Sequence, residues 1–260
     1  MRLSIEALLD YRFAEPADVL LQIEAAAMAD QRLEHQSLVI ESDHPIRAVC
    51  GEDGIGQRCW ARGSRRLVAR YVATVAIDRP VVQLDALPAT PVTALPAGTI
   101  PYLLPSRYCE SHHFERFVRR TFAGLSGGAL AAALVGWVAT ELEYGCGTST
   151  GRTGALETFA ERRGVCRDFA HLTVALARAA EIPARCVAAY APGVDPPDFH
   201  AVAELWLDGA WHLVDATGMA RADEIARVGV GRDATDIAFM TVFGTADMIA
   251  QRVTVARLPS

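Results

Sequence analysis

One cysteine of the 260-residue chain stands where a thiol could become a nucleophile. Cys166 follows Gly164 by two positions and begins an apolar helical pattern that places Phe169, Leu172 and Leu176 on one face. A free thiol has a pKa of about 8.5, and the first turn of a helix favours its anion. We therefore expect Cys166 to be reactive if a base lies close to it.

His200 and Asp215 are the candidates for that base and for the carboxylate that orients it. They flank Asp208-Gly209, a dipeptide that favours a two-residue type I′ hairpin turn. In the register set by this turn, Asp215 faces Val202, and His200 and Asp215 are diagonal neighbours on one face of the sheet. A carboxylate there would fix the imidazole tautomer and support the imidazolium. The sequence thus predicts a thiol active site made of Cys166, His200 and Asp215.

The elements before this site read as strands. Residues 2–7, 19–24, 38–45 and 66–77 are β-compatible runs separated by Gly, Pro and Asp turns, which favours an antiparallel sandwich. Alanines accumulate at 23–28 and permit a helix there, but strand is the favoured interpretation.

A change of composition near residue 95 predicts a domain boundary. Residues 85–101 contain four prolines and little charge, which is typical of a linker or an extended crossover. Helical patterns follow, and then strands, so the chain is predicted to be α+β. We expect a β-sandwich-like domain at 1–95 and a catalytic core at 96–260.

The core sequence resembles the bacterial transglutaminase-like family. The blocks that carry the resemblance are residues 164–170, 181–185, 200–206 and 211–217, and the first 80 or so residues resemble the small N-terminal β domain of that family. This implies an N-terminal antiparallel β domain followed by a papain-like transglutaminase core, in which helices pack on an antiparallel sheet. Val202 stands where the family often has an aromatic residue, and His112 where it often has an acidic one.

By this resemblance, Cys166 is the nucleophile, His200 the base and acid, and Asp215 the orienting carboxylate of an acyl transfer. The thiol would attack an amide of a protein or peptide substrate and form a thioester. We expect hydrolysis, because water needs no acceptor site, and transfer to an amine is an alternative. An arylamine acetyltransferase and an inactive interaction module with this fold are further alternatives. The backbone N–H of Cys166 could stabilise the oxyanion. The second donor is open, with the weak candidates Tyr144, Trp137 and Tyr102.

Composition limits the other function classes. A net charge of -6 and a pI of about 5.7 argue against nucleic-acid binding. The six cysteines contain no Cys-x-x-Cys pair, and the first residues do not resemble a signal peptide, so a cytoplasmic setting is expected. Residues 121–140 carry no charge but are rich in Gly and Ala, which predicts a buried helix and not a membrane span.

No cofactor or metal is predicted. Cys109-x-x-His112-His113 has a spacing seen in metal sites, but no second Cys or His pair completes it. Surface or capping roles are the favoured interpretation of these residues. The sequence gives no indication of the oligomeric state.

Overall fold

A computed structural model describes residues 1–42, 44–145 and 147–259. The helices are α1 Glu115–Thr121, α2 Gly127–Glu141, α3 Ala155–Glu161, α4 Cys166–Ala179 and α5 Ala234–Ile237. The strands are β1 Arg2–Arg12, β2 Ala17–Leu21, β3 Gln31–Glu41, β4 Arg47–Cys50, β5 Gln57–Gly63, β6 Arg66–Ile77, β7 Glu143–Tyr144, β8 Arg163–Gly164, β9 Ala184–Tyr190, β10 His200–Leu207, β11 Ala210–Val214, β12 Ala226–Gly231, β13 Met240–Phe243 and β14 Asp247–Leu258.

Two antiparallel sheets form the N-terminal β half, in the orders β14-β1-β6-β3 and β13-β2-β5-β4. In β1, alternate residues from Leu3 to Leu9 are buried, because successive side chains of a strand point to opposite faces. They pack in one apolar cluster with residues of β2, β5 and β6, including Val19 and Leu21. The predicted antiparallel β domain is therefore present.

The end of the chain returns to this N-terminal half. Strand β14 pairs with β1 from Arg2↔Leu258 onward, and β13 pairs with β2. The expectation that everything after residue 96 lies in the core does not hold for these two strands, because their backbone hydrogen bonds are made to the N-terminal sheets. The boundary near residue 95 stays a prediction.

The core is a helix layer on a third antiparallel sheet, of order β11-β10-β9-β12. Helix α4 is buried along almost its whole length and packs against β9 and β10. Ala203 and Leu205 face this helix layer, in a cluster with Leu172 and Leu176. This confirms the predicted α+β class with helices packed on an antiparallel sheet.

A buried ionic network joins the core sheet to the N-terminal strands. Glu204 is completely buried and bonds Arg185 at 2.7 Å and Arg227 at 2.6 Å. Arg227 also bonds Asp30, and Arg185 bonds Asp53, both at 2.9 Å. Because buried charges need this compensation, these ion pairs link residues of the core sheet to residues of the N-terminal segment.

Two local expectations change in the structure, and a third agrees with it. Strand β2 ends at Leu21, so the favoured strand at 22–24 is wrong, and residues 22–27 are irregular. Their backbone donors are satisfied from elsewhere, as when Ala26 N–H donates to the carbonyl of Arg227. Strands β4, β5 and β12 were not expected. The uncharged stretch 121–140 is mostly α2, and within the described residues no helix has the length and hydropathy to cross a membrane.

Candidate active site

The local sequence around Cys166 builds a tight entry into α4. The carboxylate of Asp168 accepts a hydrogen bond from Val165 N–H at 2.9 Å and so closes the first turn, as expected for a residue at a helix N-terminus. Gly164 permits this turn, because a Cβ at that position would lie 2.6 Å from the Cβ of Asp168. Cys166 is half-buried at the first position of the helix, where its thiol can be reached.

The start of α4 offers hydrogen-bond donors. The backbone N–H groups of Cys166 and Arg167 bond no carbonyl or side chain of the described residues. Such donors carry the positive end of the helix dipole, which attracts anions. Arg167 itself bonds Ser149 and the carbonyl of Thr150, so the loop before α3 is tied to this turn. Cys146, within that loop, lies outside the described residues.

The hairpin that carries His200 has the predicted turn and register. Asp208 and Gly209 both have positive φ, 49° and 73°, as a type I′ turn requires. Leu207 pairs with Ala210, and the ladder runs to Ala203↔Val214. Asp215 follows the last residue of β11, so it does not form a ladder pair with Val202.

His200 and Asp215 come together as expected. The ring Nε2 of His200 donates to Asp215 Oδ2 at 2.8 Å, and both side chains are almost completely buried. The other carboxylate oxygen accepts from both the backbone N–H and the hydroxyl of Thr217. Ala220 N–H donates to Oδ2. Four donors therefore hold this carboxylate in one orientation and keep it ionised.

The other nitrogen of His200, Nδ1, is buried and makes no hydrogen bond within the described residues. Cys166 lines the same cavity as His200 and lies near enough to act on the pKa of the ring, after burial and Asp215. Burial alone would lower the pKa of His200, but the contacts with Asp215 and Cys166 outweigh it and raise the pKa to about 9. Burial likewise opposes ionisation of Asp215, yet its bonds to His200 and Thr217 lower its pKa. The ring is thus an imidazolium at neutral pH, beside a thiol.

A cavity of about 360 Å³ opens onto Cys166 and His200. Apolar side chains form most of its wall, and Phe199 and Phe239 stack there with ring centroids 4.4 Å apart. The other lining residues are Gln22, Val165, Arg167, Ala188, Ala189, Asp198, Ala201, Val228, Ala234, Ile237 and Ala238. A larger cavity of about 650 Å³, bordered by α1 and α2, contains none of the three predicted site residues.

The three aromatic candidates for a second oxyanion donor do not line the 360 Å³ cavity. Tyr102 donates to Asp53 at 2.7 Å, which is part of the ionic network. Trp137 packs beneath the guanidinium of Arg162, and Tyr144 lies against Phe169. Gln22 does line the cavity, although no sequence pattern connects residue 22 with residue 166. The one available signal for its role was its position, as a polar residue directly after an apolar strand.

Cys109, His171 and Cys186 form a second cluster of possible ligand atoms, all within 4.8 Å of one another. In Cys109-x-x-His112-His113, for which surface or capping roles are favoured, both histidines are exposed, whereas Cys109 is buried. His171 Nε2 accepts from Ala234 N–H at 3.0 Å, and burial lowers the pKa of His171 to about 4. The neutral ring therefore carries its proton on Nδ1, so neither nitrogen has a free lone pair for a metal. The cluster fits packing better than metal binding.

Comparison with known proteins gives three findings. The profile of the transglutaminase-like superfamily matches residues 117–216. The crystal structure of a "Putative Cysteine Protease" from Cytophaga hutchinsonii matches with a TM-score of 0.94 and 31% identity, over 100% of this chain and 91% of that one. An uncharacterized protein of Mycobacterium leprae is 27% identical over 217 residues, which is 80% of this chain and 68% of that protein.

Proposed function

We propose that this chain, which belongs to the transglutaminase-like superfamily, cleaves amide bonds through a thioester on Cys166. The family profile and the solved structure that it matches support a family of thiol-dependent enzymes. The observation that carries this proposal is the line from Asp215 through His200 to Cys166 at the open end of α4. In this arrangement His200 is the acid and base, and Asp215 orients it.

The reaction proceeds in two steps. The Cys166 thiolate attacks the carbonyl carbon of an amide, an S–C bond forms, and the carbonyl π electrons move to oxygen. As the tetrahedral intermediate collapses, the C–N bond breaks, and the imidazolium of His200 gives its proton to the departing amine. Water then attacks the carbonyl carbon of the thioester while His200 accepts a proton from it. As this second intermediate collapses, the S–C bond breaks, a carboxylic acid leaves, and the thiolate and the imidazolium are restored.

The cavity indicates the class of acyl donor. Its wall is mostly apolar and includes the stacked rings of Phe199 and Phe239. A protein or peptide with an apolar side chain next to the cleaved amide would fill it. Hydrolysis is the proposed outcome, because water needs no separate acceptor site.

Trapping of the acyl-enzyme tests the proposal. The protein would be incubated with casein peptides and with benzyloxycarbonyl-Gln-Gly, with and without hydroxylamine, and quenched in acid for intact-mass and peptide mass spectrometry. We expect an acyl group on Cys166 and release of new amines or ammonia. Hydroxylamine should divert the product to a hydroxamate. Cys166→Ala should abolish turnover, and Cys50→Ala, which removes an exposed cysteine, should not. Absence of both adduct and product with every donor would contradict the proposal.

A further inference from the structure

Gln22 lies at the seam between the N-terminal β half and the catalytic cavity. It is only 2% exposed and immediately follows β2. Its backbone N–H donates to the carbonyl of Phe239 at 2.9 Å, which fixes it beside the segment that leads into β13. Its side chain lines the same cavity as Cys166 and His200.

A neighbouring guanidinium sets the orientation of the Gln22 amide. Oε1 accepts from Arg58 Nε at 3.2 Å, and Arg58 is itself anchored by a 2.8 Å bond to the carbonyl of Asp236. With the oxygen held toward Arg58, the NH₂ group must point the other way. Nε2 is buried and has no acceptor among the described residues.

Gly229 of β12 makes room for this amide group. A Cβ at position 229 would lie 2.0 Å from Gln22 Nε2, so any other residue would displace the amide. Gly229 pairs with Ala188, a residue of the cavity wall, next to an irregularity in the β12–β9 register. The backbone of the core sheet is therefore shaped around a donor that comes from the N-terminal half.

A buried donor without an acceptor destabilises the folded protein, so its presence here needs a reason. The tetrahedral intermediate of the proposed reaction carries an oxyanion, and the N–H of Cys166 is one donor for it. Such anions are usually held by more than one preorganised donor. We infer that Gln22 Nε2 is the second donor, so that the N-terminal β half completes the active site. This inference rests on the proposed function.

Aldehyde binding separates this role from the reactivity of the thiol. The Cys166 thiolate adds to the carbonyl carbon of acetyl-Phe-glycinal: an S–C bond forms and the π electrons move to oxygen, which occupies the oxyanion position while His200 keeps its proton. Alkylation by iodoacetamide forms an S–C bond and expels iodide without creating an oxyanion. Both reactions would be measured in the wild type, Gln22→Met and Gln22→Glu. Gln57→Met is the matched control, because Gln57 is exposed and bonds Glu24 outside the cavity.

We expect Gln22→Met to weaken aldehyde binding at least about tenfold, in line with the loss of one oxyanion donor, while the alkylation rate of Cys166 stays within about twofold. Gln22→Glu keeps an acceptor for Arg58 but loses the donor, so it should weaken the aldehyde as much or more. Circular dichroism would verify folding of both variants. Unchanged aldehyde affinity in a folded variant would overturn the inference, and so would an equal loss in both reactions. If wild-type Cys166 forms no aldehyde adduct and alkylates no faster than Cys50, the proposed function fails instead.

Discussion

Replacement of Asp215 with Asn would remove the charge that keeps His200 protonated. The carboxylate accepts from His200, from the N–H and hydroxyl of Thr217, and from Ala220 N–H. An amide has one oxygen, so in either orientation its NH₂ group would face a backbone N–H. The variant therefore loses both the charge and part of the hydrogen bonding that holds the side chain.

The size of the effect follows from the pKa of His200, which is raised to about 9 in the folded protein. Without the carboxylate, burial is left to act, and the pKa should fall to about 6.5 or lower. At pH 7.5 the imidazolium fraction would then drop from about 97% to about 10% or less. A fall of about 2.5 in the pKa corresponds to about 3 kcal/mol lost from the charged pair.

The assay is the rate of iodoacetamide alkylation of Cys166 between pH 5 and 10, located by mass spectrometry. In the wild type at pH 7.5 almost every His200 ring is an imidazolium, and we expect alkylation to be fastest there. In Asp215→Asn the rate at pH 7.5 should fall, because few of its His200 rings are then charged. Asp223→Asn is the control, since Asp223 pairs with Arg221 at the surface. Superimposable profiles for the wild type and Asp215→Asn would refute the reasoning.

Three further outcomes are expected. Gly164→Ala brings a Cβ to 2.6 Å from that of Asp168 and should cost about 1–3 kcal/mol in urea unfolding, whereas Gly151→Ala, with nothing near, should not. The pKa of His200 is about 9 in the folded protein, above its unfolded value of about 6.5. Its charge therefore stabilises the fold fully below pH 6.5, and that contribution disappears as the pH rises through 9. The difference in the free energy of unfolding between the wild type and His200→Gln should shrink over that range. Glu204→Gln leaves two buried arginines undercompensated and should cost about 3–5 kcal/mol in urea unfolding; stability equal to that of the wild type would contradict this role.

The parts predicted well from sequence are those with local signals. Strand β6 has the predicted bounds, because alternation of its residues and the flanking turns define it. The Asp208-Gly209 turn set the hairpin register, which brought His200 and Asp215 together. The start of α4 at Cys166 could be predicted because the residues that form its entry turn, Gly164 and Asp168, lie within five positions of each other.

The parts that escaped prediction depend on contacts between distant residues. No local sequence pattern in β14 indicates that it pairs with β1. Either N-terminal sheet could accept a strand in which apolar and polar residues alternate. Gln22 approaches Cys166 only because β2, the segment before β13 and the core sheet pack together. The grouping of Cys109 with His171 and Cys186 likewise arises from packing of the core.

The pairing of β14 with β1 has a consequence for synthesis. Residues 2–77 can form the β3–β6–β1 part of the sheet early, but the outer edge of β1 stays unpaired until residues 247–258 have left the ribosome. At about 5–20 residues per second, that interval lasts roughly 10–35 s. An open edge invites pairing with other chains, and charges such as Glu6 oppose it. Phe239 of the cavity wall also arrives late, so the cavity beside Cys166 stays incomplete until this part of the chain has been synthesised.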